Sequence, residues 1–88
     1  MTWHIEYRPD VVARDIPALP KAIKAQIRKA VEKKLTTDPQ LFGKPLRFNY
    51  SGLRRLRVGD YRVIYCIDPK KSIVTITAIG HRKDIYEE

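Results

Sequence analysis

The sequence predicts an α+β fold, because two different apolar periods occupy different parts of the chain. Apolar residues recur every three or four positions between residues 19 and 35, which is the spacing of an amphipathic helix. They alternate with polar residues at the N-terminus and over much of residues 53–80, as in half-buried strands. We therefore expect one domain, 1–88, with an N-terminal strand, two helices packed on a mainly antiparallel four-stranded sheet, and a short C-terminal helical turn.

The first part of the chain contains the predicted N-terminal strand and both helices. Trp3, Ile5 and Tyr7 alternate with polar residues, and the strand ends at the proline that follows. Residues 10–16 are predicted to form a short helix, and Pro20 suits the first turn of a longer one. The apolar stripe of this longer helix consists of Leu19, Ile23, Ile27, Ala30, Val31 and Leu35.

Three further strands are predicted after an irregular connection over the turn-rich residues 36–45. These strands cover residues 53–58, 61–67 and 72–80. Gly59 begins the first loop between them, as in a type II′ hairpin turn. Residues 68–71 form the second loop in this prediction.

The turns predict which residues lie opposite one another in the sheet. The first hairpin pairs Arg57 with Arg62, and the second pairs Arg62 with Thr77 and Val63 with Ile76. The apolar face of the sheet would then carry Leu56, Val58, Tyr61, Val63, Tyr65, Val74, Ile76 and Ala78. The opposite face would carry Arg55, Arg57, Arg62, Thr75 and Thr77, with His81 if the last strand runs straight.

The arginines of the first hairpin predict a surface that binds phosphate. Like charges opposite each other in a sheet are destabilising by some tenths of a kcal/mol or more, so pairing Arg57 with Arg62 favours an anion on that face. Guanidinium groups bind phosphate in a bidentate manner. Two other interpretations stay open: the arginines extend into solvent, or they pair with acidic residues of the C-terminal tail.

The charge, the cysteine count and the lack of long apolar runs limit the functions that this chain can have. Eighteen Lys and Arg against ten Asp and Glu give a formal net charge of +8, which indicates an anionic partner, although a basic domain without such a ligand is the alternative. The single cysteine, Cys66, cannot form an intramolecular disulfide. We expect a cytoplasmic protein, because the chain has neither a signal peptide nor an apolar run long enough for a membrane span.

The sequence predicts no cofactor and no metal site, since it has no zinc-type spacing, no magnesium-binding carboxylate group on the sheet and no glycine-rich phosphate loop. RNA can be cleaved without these groups, because the ribose 2′-hydroxyl attacks the adjacent phosphate. The protein then has to align the reacting atoms, assist proton transfer and stabilise the charge at phosphorus. His81 and Tyr86 are candidates for proton transfer.

Two segments of the chain, LRRLRVGDYRVIYCID and VTITAIGHRKDIY, resemble the RelE/ParE superfamily of prokaryotic toxins, and the RelE branch more closely. The resemblance covers nearly the whole chain. It implies a compact α+β domain that enters the ribosomal A site and cleaves mRNA without a metal ion. It also implies a cognate antitoxin that wraps around the toxin, as in a hetero-oligomer. We expect no membrane partner.

The resemblance assigns roles to residues near the two hairpins. It places family arginines at Arg62 and Arg82 and the C-terminal family tyrosine at Tyr86. A basic family position falls on Arg55, whereas Leu53 stands where well-studied members have lysine. Because arginine keeps its proton above about pH 12, it is a poor general base. The predicted catalytic set is Arg62, Arg82, Tyr86, Arg55 and His81, and the predicted RNA-binding set is Arg47, Arg54, Arg57 and Lys44.

Two other functions stay open at this point. A toxin of the ParE type, which inhibits DNA gyrase without cutting RNA, shares the fold, and the leucine at position 53 favours it. His81, Arg82 and Tyr86 favour the nuclease. An RNA-binding module without catalytic activity is the third possibility.

Overall fold

The computed structural model describes residues 2–45 and 52–85. Its elements in chain order are β1 (His4–Tyr7), α1 (Val11–Asp15, a π-helical turn), α2 (Lys21–Ala30), α3 (Pro39–Phe42), β2 (Lys44–Pro45), β3 (Leu53–Val58), β4 (Tyr61–Asp68) and β5 (Ile73–His81). Helix α2 continues directly into a π-helical segment, Val31–Leu35, so the predicted long helix is present.

The described strands form one sheet in the order β1-β5-β4-β3-β2. Only β1 runs parallel to its neighbour, so the predicted α+β class and the mainly antiparallel sheet are confirmed. The predicted number of four strands is wrong. Residues 36–45, expected to be irregular, contain the single-turn helix α3 and the two-residue strand β2, which pairs with β3. A single turn follows β5, in which the Ile85 N–H donates to the His81 carbonyl at 3.0 Å.

The hairpin β3–β4 has the predicted register. Val58 lies opposite Tyr61, and Arg57 lies opposite Arg62. Gly59 has a φ of 61°, a left-handed conformation that glycine adopts without steric strain. A two-residue turn therefore sets the register of this hairpin, as expected from the sequence.

The hairpin β4–β5 does not have the predicted register. Asp68 stays in β4 opposite Ile73, because its carboxylate accepts the N–H groups of Lys70 and Lys71 at 3.1 and 3.3 Å and closes the loop. The pairing shifts again between Ile64 and Tyr65 at a β-bulge. As a result Arg62 lies opposite Gly80 instead of Thr77, and Val63 lies opposite Ile79 instead of Ile76.

The bulge changes which residues of β5 face the helices. Thr77 is the extra residue, and its hydroxyl donates to the Ile64 carbonyl at 3.2 Å. Ile79 therefore joins the core in place of Ala78. His81 pairs with Tyr61 on the helix-covered face, so its predicted position beside the arginines is wrong.

The helices cover one face of the sheet and enclose the core. Four apolar residues of the predicted helical stripe are buried there, and β1 supplies partly buried side chains at its edge. The buried cluster consists of Val11, Leu19, Ile27, Val31, Leu35, Leu56, Val63, Tyr65, Val74, Ile76 and Ile79. Within the described part of the chain, no helix has the length and apolar character needed to cross a membrane.

Candidate nucleic-acid interface

The sheet face turned away from the helices carries basic side chains on three adjacent strands. Lys44 of β2 lies opposite Arg55 of β3, and two residues further along β3, Arg57 lies opposite Arg62 of β4. Opposed residues of an antiparallel pair project to the same face, so these four side chains form one basic face. Lys44 and Arg57 are exposed, and Arg55 is partly buried.

Arg62 lies on this basic face but is not open to solvent. It is only 5% exposed, and one of its terminal nitrogens donates to the carbonyls of Gly59 and Tyr61, each at 3.1 Å. Gly80 lies opposite Arg62, and a methyl group added at Gly80 would come within 3.0 Å of the Ile85 side chain. The C-terminal turn thus packs next to Arg62, whose guanidinium braces the carbonyls of the hairpin turn.

Arg82 is placed beside the same hairpin turn. Its backbone N–H donates to the Asp60 carbonyl at 2.8 Å, which extends the pairing beyond β5. Its side chain is 56% exposed and lies 3.9 Å from the Asp60 carboxylate. An exposed ion pair of this length is weak. Arg82 can therefore exchange Asp60 for an anionic ligand at little energetic cost.

His81 occupies the opposite face at the same end of the sheet. Its ring contacts Tyr61 edge-on, with the two ring centres 5.2 Å apart. Its Nδ1 accepts the Lys83 N–H at 3.1 Å, so the neutral ring carries its proton on Nε2. In this arrangement His81 can donate a hydrogen bond from Nε2 but does not offer that atom as a base.

Arg54, predicted to bind RNA, is partly buried and donates hydrogen bonds to the protein's own backbone. It has the same strand parity as Leu56 and therefore points to the helix side, where Nη2 donates to the carbonyls of Gln40 and Gly43 at 2.6 Å. Its strand partner Tyr65 donates through its hydroxyl to the Pro39 carbonyl at 2.6 Å. Burial raises the pKa of Tyr65, and the hydrogen bond and charge of Arg54 oppose that shift.

The sequence prediction missed the hydrogen bonds of Arg54 and Tyr65 to residues 39–43. The alternation along β3 could have indicated them, because it places Arg54 on the same side as Leu56. An arginine that shares the parity of two core residues needs acceptors on the buried side of a sheet. Helix α3 and the following Gly43 supply them as backbone carbonyls, which cannot be recognised from residue types.

Two predicted site residues, Tyr86 and Arg47, lie outside the described residues. The structure brings Lys44, Arg55, Arg57 and Arg62 together and sets Arg82 beside the hairpin turn, while His81 and Arg54 project to the other face. Among residues 2–45 and 52–85, no three His, Cys, Asp or Glu side chains gather in a way that could hold a metal ion.

Comparison with known proteins identifies the family. A family model described as the ParE toxin of the type II toxin-antitoxin system parDE matches residues 5–86. Toxin RelE of Mycobacterium tuberculosis is 42% identical over 74 residues, which is 84% of this chain and 76% of that toxin. Toxin RelG of the same organism is 38% identical over 73 residues, which is 83% of this chain and 84% of that toxin.

A solved structure agrees with these two relatives. The crystal structure of the toxin-antitoxin complex RelBE2 from Mycobacterium tuberculosis contains a chain that superposes with a TM-score of 0.87 at 31% identity. The match covers 96% of this chain and 95% of that chain. Fold, sequence and the arginine-rich hairpin therefore lead to the same result: this chain belongs to the RelE/ParE superfamily, the toxins of type II toxin-antitoxin systems.

Proposed function

We propose that this toxin is a ribosome-dependent mRNA endoribonuclease that blocks translation in the cytoplasm. The observation that carries the proposal is the basic face, where cationic side chains of three adjacent strands project together. Strands in a sheet lie about 4.8 Å apart, so the cations are close enough to contact one stretch of RNA backbone. Such contacts supply most of the affinity of a protein for nucleic acid.

The residues of this face divide into binding and catalytic roles. Lys44, Arg55 and Arg57 contact phosphates that flank the cleaved bond, and Arg82 binds the scissile phosphate from the hairpin turn. The 2′-hydroxyl of the substrate is the nucleophile: its oxygen bonds to phosphorus while the P–O5′ bond breaks, its proton leaves to solvent, and the departing 5′-oxygen takes up a proton from solvent. Developing negative charge at phosphorus is stabilised by guanidinium groups, which stay protonated at every physiological pH.

Arg62 has a conditional role in this proposal. Its guanidinium is engaged by the carbonyls of the hairpin turn, so it would have to exchange those hydrogen bonds to reach the phosphate. Tyr86, which follows the C-terminal turn, would stack on or orient the nucleotide, and His81 would act as a hydrogen-bond donor through Nε2.

We also propose a cognate antitoxin as the protein partner. The similar chain in the RelBE2 crystal structure belongs to a toxin-antitoxin complex. A net charge of +8 favours a partner segment rich in acidic residues, because charge complementarity accelerates association and suppresses unsuitable partners. Binding of such a segment to the basic face would exclude RNA from it.

A gyrase inhibitor is the second candidate function. The matching family model carries the ParE description, and the burial of Arg62 leaves fewer arginines open to a phosphate than the sequence indicated. Both functions are compatible with the same fold.

A reconstituted translation reaction distinguishes these candidates. Purified toxin is added to ribosomes programmed with a defined mRNA, and new RNA ends are mapped by primer extension. We expect cleavage only when ribosomes are present, and a rate that is lower by roughly threefold to tenfold for Arg57→Ala at about 0.1 M salt. Lys29→Ala is the matched control, because it removes an exposed cation from the helix layer. Intact mRNA together with inhibited DNA supercoiling in a parallel gyrase assay would reject the nuclease in favour of the second candidate.

A further inference from the structure

The segment that carries Lys44 is held by contacts from the other side of the sheet. Arg54 donates to the Gln40 carbonyl within α3 and to the Gly43 carbonyl just after it, and Tyr65 donates to the Pro39 carbonyl at the start of that helix. All three distances are 2.6 Å. Both donors lie in one cross-strand pair of β3 and β4, so the sheet holds both ends of α3.

Gly43 is part of the same arrangement. A methyl group at this position would lie 1.8 Å from the Tyr65 hydroxyl oxygen and 2.6 Å from the ring carbon that bears it. Only a residue without a side chain allows the loop backbone to approach the tyrosine so closely. The φ of Gly43 is −94°, so the requirement is one of space and not of backbone conformation.

Strand β2 has little else in the described structure to fix it. It consists of two residues at the edge of the sheet, where Lys44 pairs with Arg55 and Pro45 pairs with Arg54. Proline has no N–H group and cannot donate to the ladder. A pairing this short does not offset the entropy of ordering the segment, so further contacts have to hold it.

We propose that Arg54, Tyr65 and Gly43 form a clamp whose task is to position Lys44 in the RNA-binding face, an inference that rests on the function proposed above. Arg54 and Tyr65 contact the segment from the helix side of the sheet, where Gly43 leaves room for Tyr65, whereas Lys44 projects from the opposite side of β2. The clamp acts through the β2 backbone. Arg54 and Tyr65 are thus positioning residues that touch no RNA.

The clamp predicts a specific effect on RNA binding. A flexible β2 would leave Lys44 attached to the protein but without a fixed contact to phosphate, and the binding reaction would release about one counterion fewer. Loss of the clamp should therefore lower the salt dependence of RNA affinity just as loss of Lys44 does. A purely structural role would change stability and leave that salt dependence unaltered.

The experiment measures binding of the full chain to a fluorescent single-stranded RNA oligonucleotide by anisotropy over a series of salt concentrations. The variants are Lys44→Ala, Tyr65→Phe, Arg54→Lys and each clamp substitution combined with Lys44→Ala. Arg54→Lys conserves net charge, so a changed salt slope cannot come from charge lost at that residue. Tyr7→Phe is the control, since it removes a tyrosine hydroxyl from β1 at the far edge of the sheet.

We expect Lys44→Ala to reduce the slope of log affinity against log salt by about 0.7, the value for one phosphate contact on a single strand. Tyr65→Phe and Arg54→Lys should reduce it equally, and adding Lys44→Ala to either should have no further effect. Tyr7→Phe should retain the wild-type slope. Thermal unfolding of each variant verifies that it is folded at the assay temperature.

Three results would overturn the inference. The first is a wild-type slope in folded Tyr65→Phe and Arg54→Lys proteins. The second is additivity with Lys44→Ala, which would show that the clamp acts on something other than this lysine. The third is unchanged affinity in Lys44→Ala itself; ribosome-dependent cleavage by that variant would then show that the proposed function stands while the positioning role fails.

Discussion

The arginines of the β3–β4 hairpin fall into two groups that the sequence does not separate. Arg54 and Arg62 donate to backbone carbonyls at opposite ends of the hairpin, where they hold the α3–β2 segment and the Gly59 turn. Arg57, which lies between them, is exposed. The comparison shows that a high density of arginine on a hairpin is not itself a measure of a ligand surface. Part of the charge stabilises the hairpin and the loops around it.

The largest expected difference between the two groups is in stability. Arg62→Ala should lower the free energy of unfolding by about 3 kcal/mol, because it removes a buried side chain and leaves two turn carbonyls without their donor. Arg57→Ala should change it by less than about 0.5 kcal/mol. Urea denaturation of the two proteins measures both values. Equal stability of the two variants would mean that Arg62 does not brace the turn.

A second prediction concerns the close approach of Gly43 to Tyr65. Gly43→Ala should destabilise the protein by about 2 kcal/mol, as is typical of overpacking at a tight contact. Adding Tyr65→Phe should recover part of that loss, because the nearest atom to the new methyl group is the tyrosine hydroxyl oxygen. A double-mutant cycle in urea measures the coupling. Strict additivity would contradict the contact.

A third prediction uses the pKa of Tyr65. Burial raises this pKa above 10.0, and the hydrogen bond and charge of Arg54 offset part of the increase. Below about pH 10 both folded and unfolded states keep the proton, so Tyr65 adds no pH dependence. Above that pH the unfolded chain loses the proton first, and stability should fall as pH rises through the folded pKa. Tyr65→Phe should lessen this fall and, at neutral pH, remove about 1 kcal/mol with the hydrogen bond to Pro39.

Denaturant titrations between pH 8 and about 11 check this dependence. Tyr7 also has a pKa raised by burial, so Tyr7→Phe is a suitable comparison. An identical decline in stability for wild type and Tyr65→Phe would exclude Tyr65 as its source.

The smallest expected effect concerns Arg82. Asp60→Asn removes the charge that faces Arg82 at 3.9 Å, and we expect a change of less than about 0.5 kcal/mol in stability, since both side chains are exposed. The same change should raise affinity for RNA slightly, because it frees Arg82 and removes a nearby negative charge. Weaker RNA binding by Asp60→Asn would show that Asp60 has a role of its own at the hairpin turn.

Local signals in the sequence were sufficient for several parts of the fold. The helical spacing predicted the stripe of α2 and the π-helical segment after it that packs on the core, and the glycine of the first turn predicted the register from Val58 to Arg55. These features depend on contacts between residues near one another in the chain. The sequence also predicted that Arg55, Arg57 and Arg62 lie on one face of the sheet, because the same register places them there.

The wrong prediction for β5 has one local cause and one longer-range cause. Asp68 accepts from N–H groups two and three residues on, whereas the bulge at Thr77 involves Ile64, thirteen residues away. The register of β5 depends on Asp68 closing its loop and on a bulge at Thr77, and the bulge moved His81 away from the arginines. One extra residue in a strand transfers every later side chain to the other face. Alternation alone does not reveal where such a residue is inserted.

The sequence by itself determined the family, the α+β class, the amphipathic long helix and the face on which the hairpin arginines emerge, because each depends on residue type and local spacing. Only the tertiary structure decided which arginines stay available. Whether a guanidinium is open or engaged depends on the backbone carbonyls near it, and those carbonyls come from loops whose positions are fixed by packing. Arg54 donates to carbonyls of α3 and of Gly43 after it, and Arg62 donates to its own turn, whereas Arg57 remains exposed on the open face.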